Sequence, residues 1–414
     1  MSYLRPMALA ERLTNLGTET AFSVSLAAAE WAAQGNRVFP FHLGDINLPT
    51  PANIAEAMNV AIAEGKTGYC AAAGIMPLRE ALADDVGRRR GLQFAADNVV
   101  VQPGGKPVIG KFIQSVMNPG EGVLYPNPGY PIYESMIEYY GGVSQAYRYK
   151  QTDTGFAIDL DHLRSIVVPR KKGQGQGGGG TRAIVYNNLQ NPLSCESSAA
   201  EMQAIADLAN EHDLWVLADE AYFEMRYSGT SSSIAALPGM LDRTVILYTF
   251  SKKFAMTGWR LGAAIAPLPV AQSIAKLNTN DESCTTHFVQ AAGVAGITGG
   301  ADGPKAILDE LHRRRDAAWS QLALIEGVIC PQPESTFYLF PNVTAVMDRM
   351  GFDEVGKFAT AALHNTGVSF CTRKHFGRPQ PGETDQFVRF AYSGLSCADI
   401  EEGLSGLRRW IDSA

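Results

Sequence analysis

Lys252, the small hydroxyl residues Thr249 and Ser251, and Arg260 fall within one short stretch, Thr249-Phe250-Ser251-Lys252-Lys253-Phe254-Ala255-Met256-Thr257-Gly258-Trp259-Arg260. The stretch follows the apolar, strand-like run Val245-Ile246-Leu247. A lysine amine condenses with an aldehyde to a Schiff base, while hydroxyls and a guanidinium grip a phosphate. A single ligand carrying both an aldehyde and a phosphate would satisfy the whole stretch. The competing reading is a solvated Lys252-Lys253 pair at a strand end.

Other candidate residues follow apolar runs in the same way. Gly104-Gly105-Lys106 comes after Val99-Val100-Val101 and before a helical stretch at 107–116. Glycines allow close backbone approach, and the amides of a helix start favour a phosphate, although turns use Gly-Gly constantly. Tyr130, in Asn127-Pro128-Gly129-Tyr130-Pro131, offers a flat ring to clamp a flat ligand, or is a surface tyrosine in a proline-rich turn. Asp219 and Tyr222 end the run Leu214 to Ala218. A carboxylate there can pair with a protonated ring nitrogen, or cap a helix. Arg389, inside the apolar run Phe387-Val388-Arg389-Phe390-Ala391, is costly unless paired. Its fork suits a substrate carboxylate, with a structural salt bridge as the alternative.

In chain order, from about residue 20 to 395, these segments resemble the motifs of the class I/II aminotransferases. These are fold type I enzymes of the aspartate aminotransferase-like superfamily, and their cofactor is pyridoxal 5′-phosphate, which carries both an aldehyde and a phosphate. The resemblance implies that Lys252 is the Schiff-base lysine and general acid/base, with Lys253 a bystander. It implies that Gly104, Gly105, Lys106, Thr249 and Arg260 surround the phosphate, that Tyr130 stacks on the pyridine, and that Asp219 pairs with its nitrogen, 33 residues before Lys252. Asn191 and Tyr222 would hydrogen-bond the phenolic oxygen. Gly44, Asn191 and Arg389 would hold the substrate carboxylate, and Tyr69 would reach the phosphate of a neighbouring subunit in a homodimer. One segment departs from the pattern: Asn187-Asn188-Leu189-Gln190-Asn191-Pro192-Leu193-Ser194 keeps Asn191-Pro192 but has Leu189 for a proline and Leu193-Ser194 for Thr-Gly.

The implied function moves an amino group between an amino acid and a 2-oxo acid. A lyase, decarboxylase or oxidase using the same cofactor is the nearest alternative, because that cofactor can labilise any bond to Cα. An aminotransferase-like DNA-binding regulator is disfavoured, since the region before residue 50 is short and not basic.

Positioning such residues takes a large α/β scaffold. The runs at 98–101, 122–125, 183–186, 214–218 and 244–247 lack alternation and suit strands buried on both faces of a mostly parallel sheet, seven-stranded by the resemblance. A helix over 199–212 has Ser197 or Ser198 to cap it and Glu201 in its first turn. Residues 301–414 change rhythm, with helices at 305–326 and 397–411 around strand-like runs at 335–340 and 386–391. That reads as a smaller α+β domain, after a large domain over 50–300, with a helix at 22–34 in the segment 1–49 packing on the small domain. The glycine-rich stretch 169–180 lacks a P-loop ending and reads as a surface excursion.

With 414 residues, 46% hydrophobic and 19% charged, the composition is globular and large enough for two domains. A net charge of −7 leaves no footprint for nucleic acid. No apolar run spans a bilayer, and the start lacks a secretory layout, so the expectation is a cytoplasmic protein. Six scattered cysteines suggest neither a metal site nor a disulfide framework.

Overall fold

Residues 8–17, 21–170 and 179–413 are described in the computed structural model. The chain start, 1–7, and most of the glycine-rich stretch, 171–178, lie outside the described residues.

Seven strands form the central sheet. In chain order they are β1 (Val99–Gln102), β2 (Gly122–Pro126), β3 (Val143–Tyr147), β4 (Thr181–Asn187), β5 (Trp215–Asp219), β6 (Thr244–Thr249) and β7 (Gly262–Ile265). Their spatial order is β1-β7-β6-β5-β4-β2-β3. Strand β7 is antiparallel to both neighbours and the remaining pairs are parallel. Along β4, β5 and β6 successive side chains leave on opposite sides, yet both sides are buried. Ile184, Val216 and Ile246 join a core with helix Met76–Arg90, whereas Val185, Leu217 and Val245 join one with helix Lys106–Val116. Each such side chain withdrawn from water contributes about 1.5–3 kcal/mol, which explains the unbroken apolar runs.

The periodicity reading found five of these strands. It passed over β3, a partly exposed edge strand with polar Ser144 and Gln145 at its centre, and β7, a short Gly-Ala-Ala-Ile segment with little strand propensity of its own.

A third core gathers Phe39, Phe41, Leu311, Phe337, Phe358, Val388 and Leu404. It lies among helices Asp302–Leu322, Val355–Thr366 and Cys397–Asp412 and a three-stranded sheet of Tyr338–Leu339, Val388–Ala391 and Cys371–Thr372. Helix Ala21–Ala33 meets this part of the chain: Trp31 lies 4.5 Å from His364 between ring centres, and Val24 packs beside Phe340 and Phe387. No helix among the described residues is long and apolar enough to cross a membrane.

Candidate active site

Because β4, β5 and β6 run parallel, their carboxyl ends share one edge of the sheet, where open α/β sheets place their ligands. Asn187, Asp219 and Thr249 end those three strands. A cleft of about 620 Å³ opens there, and the third core supplies its opposite wall. Gly44, Gly105, Lys106, Tyr130, Asn191, Asp219, Tyr222, Thr249, Lys252, Arg260 and Arg389 all line it. Gly104 lies at its edge against Arg260. Tyr69 is not brought there within one chain and is 89% exposed.

One end of the cleft is built for an anion. Gly104 has φ +100, and a Cβ on it would lie 2.2 Å from Nη2 of Arg260. A Cβ on Gly105 would lie 3.2 Å from that of Thr249. Only glycine leaves this hollow open between the guanidinium, the start of helix Lys106–Val116 and the Thr249 hydroxyl. Ser251 adds a second hydroxyl, accepting from Thr249 Oγ1 at 3.0 Å.

Next to the hollow, Lys252 Nζ donates to the Gly44 carbonyl at 3.0 Å and lies 5.8 Å from the ring centre of Tyr222. Asp219, 5% exposed, accepts from the Tyr133 hydroxyl at 2.5 Å and from the Ala221 amide at 3.2 Å. Burial pushes its carboxyl above the usual range, against the pull of those donors. Tyr130 meets Tyr133 edge to face at 5.8 Å. The Tyr222 hydroxyl lies 2.7 Å from that of Tyr338.

At the other end Arg389 sits between the rings of Tyr338 and Phe376, 4.5 and 4.7 Å from their centres. Its Nη1 donates to Asn191 Oδ1 at 3.0 Å and its Nη2 to the His42 carbonyl at 2.8 Å. Its Nε is buried without a hydrogen-bond partner among the described residues. A buried, unsatisfied donor on a permanent cation is costly, and a carboxylate would relieve it. Gly44 closes on this corner, where a Cβ would come 2.6 Å from the Tyr338 hydroxyl. Burial, with the Arg389 charge, pulls the His42 imidazole down to about 4, so it stays neutral at physiological pH.

The cleft thus holds Lys106, Lys252, Arg260 and Arg389 against Asp219 and Asp45. It fits a ligand with a phosphate at one end, beside a second anion at the other. Pyridoxal phosphate meets the first requirement at the glycine hollow, and a substrate carboxylate meets the second at Arg389.

Sequence reasoning missed Tyr133, Tyr338, His42 and Phe376. Tyr133 follows Tyr130 by three residues at the start of helix Ile132–Tyr139, and that spacing was its only local signal. Lys253 is not among the residues lining the cleft; its side chain is 11% exposed and lies 3.8 Å from both Asp85 and Glu224.

Residues 37–407 match the family model for aminotransferases of class I and II. The chain is 27% identical over 412 residues to an aspartate/prephenate aminotransferase of Cereibacter sphaeroides, covering 96% of this chain and 99% of the relative. It is 27% identical over 409 residues to an aspartate aminotransferase of Geobacillus stearothermophilus, covering 98% and 100%. Among solved structures, an alanine aminotransferase of Pyrococcus furiosus superposes with a TM-score of 0.87 at 26% identity, covering 98% of this chain and all of that one.

Proposed function

Because the chain belongs to the class I and II aminotransferases, pyridoxal phosphate enzymes that move an amino group between an amino acid and a 2-oxo acid, we propose that its cleft does this with Lys252 as the reacting lysine. Transfer of an amino group is the activity named for the relatives, and no observation in the cleft favours bond cleavage of the lyase or decarboxylase kind. When bound, the cofactor supplies an aldehyde and an electron-accepting ring.

The remaining chemistry belongs to side chains. Thr249, Ser251, Arg260 and the amides after Gly104 hold the phosphate. Asp219 would hold a proton on the ring nitrogen, and the resulting cation would offset the burial that raises its carboxyl. Tyr130 would exclude water from the cofactor's flat face, and Asn191 with Tyr222 would donate to the phenolic oxygen. Arg389 and Gly44 orient the substrate carboxylate. Lys252 Nζ moves the proton at the substrate Cα, as a general base and then a general acid. The catalytic unit we infer is a cytoplasmic homodimer, with 50–300 as the cofactor-binding domain and 301–414 as the small domain, on which 1–49 packs. None of the six cysteines forms a disulfide, which suits a reducing compartment.

The observation that carries this reading is Lys252 Nζ standing in one cleft between an anion hollow and Arg389, whose Nε is buried without a hydrogen-bond partner among the described residues. Borohydride reduction of the loaded protein, followed by peptide mapping, should place a pyridoxyl group on Lys252. Lys252→Ala should lose both the label and turnover. A label on Lys253 would overturn the assignment.

A further inference from the structure

The two cofactor-facing residues Asp219 and Lys252 are each followed by a charge largely withdrawn from solvent, the buried Glu220 and Lys253, whose side chain is 11% exposed. Both of these charges end in one cluster on the side of the sheet covered by helix Met76–Arg90. Lys253 Nζ lies 3.8 Å from Asp85 Oδ2 and 3.8 Å from Glu224 Oε1. Glu220 accepts from the Ser233 hydroxyl at 2.5 Å and pairs with Arg90, whose guanidinium stacks 3.8 Å from the Phe223 ring centre. Arg89 bonds Asp85 at 2.9 Å and faces Glu224 at 3.7 Å. The carboxylates Asp85, Glu220 and Glu224 are thereby balanced by Arg89, Arg90 and Lys253. Arg88 adds a further contact to Asp85 from the surface.

We propose that Lys253 and Glu220 are positioning residues, which tie the loops bearing Lys252 and Asp219 to helix Met76–Arg90 through this shared cluster. The proposal rests on the assignment of Lys252 and Asp219 made above. Adjacent side chains share a backbone, so pinning one on the core side limits the torsions open to its neighbour on the cleft side. A buried charge is retained only where partners repay its desolvation, and here Asp85 and Arg90 come from the separate helix Met76–Arg90, while Glu224 comes from the segment that follows Asp219. Burial pulls the Lys253 ammonium down from its ordinary value while Glu224 and Asp85 oppose that pull, as expected of an enclosed ion pair rather than a solvated lysine. The doubled lysine at 252–253 is then a division of labour, with one amine in the cleft and the other anchoring it.

Lys253→Met keeps the length of the side chain and removes its charge. In loaded protein, kcat should fall roughly ten- to a hundredfold, the loss typical of a misplaced reacting group, while KM for the amino donor stays within about twofold. Pyridoxal phosphate added to the cofactor-free variant should bind about tenfold more weakly by absorbance titration. Lys253→Arg, which restores the cation, should recover most of both. Should the Met variant fail to fold, Glu220→Gln carries the same test, with a lowered kcat at constant KM expected. Folded Lys253→Met or Glu220→Gln with wild-type kcat and cofactor affinity would overturn the proposal, as would a Lys253→Arg variant no better than Met. Because borohydride mapping of the wild type tests Lys252 separately, such a result would leave the assignment of that lysine standing.

Discussion

At the scale of single residues, burial decides which groups carry charge. Asp219 is removed from water and pushed toward its neutral form, while the Tyr133 hydroxyl and the Ala221 amide favour the ionised one. A carboxylate so balanced responds strongly to a cation placed beside it. His42 shows the opposite case. Its Nδ1 is held at 2.8 Å from the Ser369 hydroxyl, and its imidazole titrates at about 4 in the folded chain against 6.5 in the unfolded one. Between those values the unfolded chain binds a proton that the folded chain refuses. The stabilisation is therefore complete above pH 6.5 and is lost as pH falls to about 4, by up to about 3 kcal/mol. His42→Gln keeps a polar partner for Ser369 and cannot titrate there, so its stability should fall less between pH 7 and pH 4.5. Parallel declines in urea-unfolding series of the two proteins would rule out His42 as a source of acid sensitivity.

Secondary-structure elements show how local chemistry reaches the cleft. Helix Ala199–Glu211 starts with a reciprocal cap: Ser198 Oγ accepts from the Glu201 amide at 3.2 Å, and Glu201 accepts from the Ser198 amide at 2.8 Å. Ser198→Ala should cost about 1 kcal/mol, lowering the melting temperature by about 1–2 °C without changing turnover, because the cap lies outside the cleft. An unchanged melt would show that the cap contributes nothing. The Leu193-Ser194 departure from Thr-Gly also has a structural consequence. Ser194 adopts φ +53, a left-handed conformation that glycine takes without strain, and Thr336 opposite it adopts φ +63. Their hydroxyls meet at 2.5 Å, and Ser194 Oγ also donates to the Tyr338 carbonyl at 2.9 Å. The serine thus exchanges some backbone strain for hydrogen bonds joining the Asn191 turn to the strand that carries Tyr338.

For the whole molecule, the proposed homodimer makes a specific demand on Tyr69. Tyr69 is 89% exposed, and Val60 and Met76 on the helices before and after it in the chain are exposed as well. In a homodimer with shared sites its hydroxyl would donate to the partner's cofactor phosphate. Losing a neutral donor to a charged group costs about 1.5–3 kcal/mol, or roughly ten- to a hundredfold in affinity. Tyr69→Phe should therefore retain pyridoxal phosphate less tightly without unfolding. Equal affinity in variant and wild type, or a fully active monomer in sedimentation, would defeat the shared-site arrangement.

Sequence alone carried the chemistry that is local in the chain. Lys252 and Arg260 share one loop, Asp219 ends an unbroken apolar run, and Ser198 with Glu201 caps a helix. Each of these depends on spacing within a few residues, where backbone geometry leaves little choice. Tertiary structure decided what depends on approach between distant segments. The Tyr133 hydroxyl reaches Asp219 across 86 residues, and that of Tyr338 reaches Tyr222 across 116. Strands β3 and β7 exist because their neighbours offer a ladder to pair with, not because their own residues favour strand. Lys252 and Lys253 are the same residue type side by side, and in the chain only the resemblance to a family motif separates them. What divides their roles is where the fold places the carboxylates: Asp85 and Glu224 lie behind one amine, while the open cleft lies before the other.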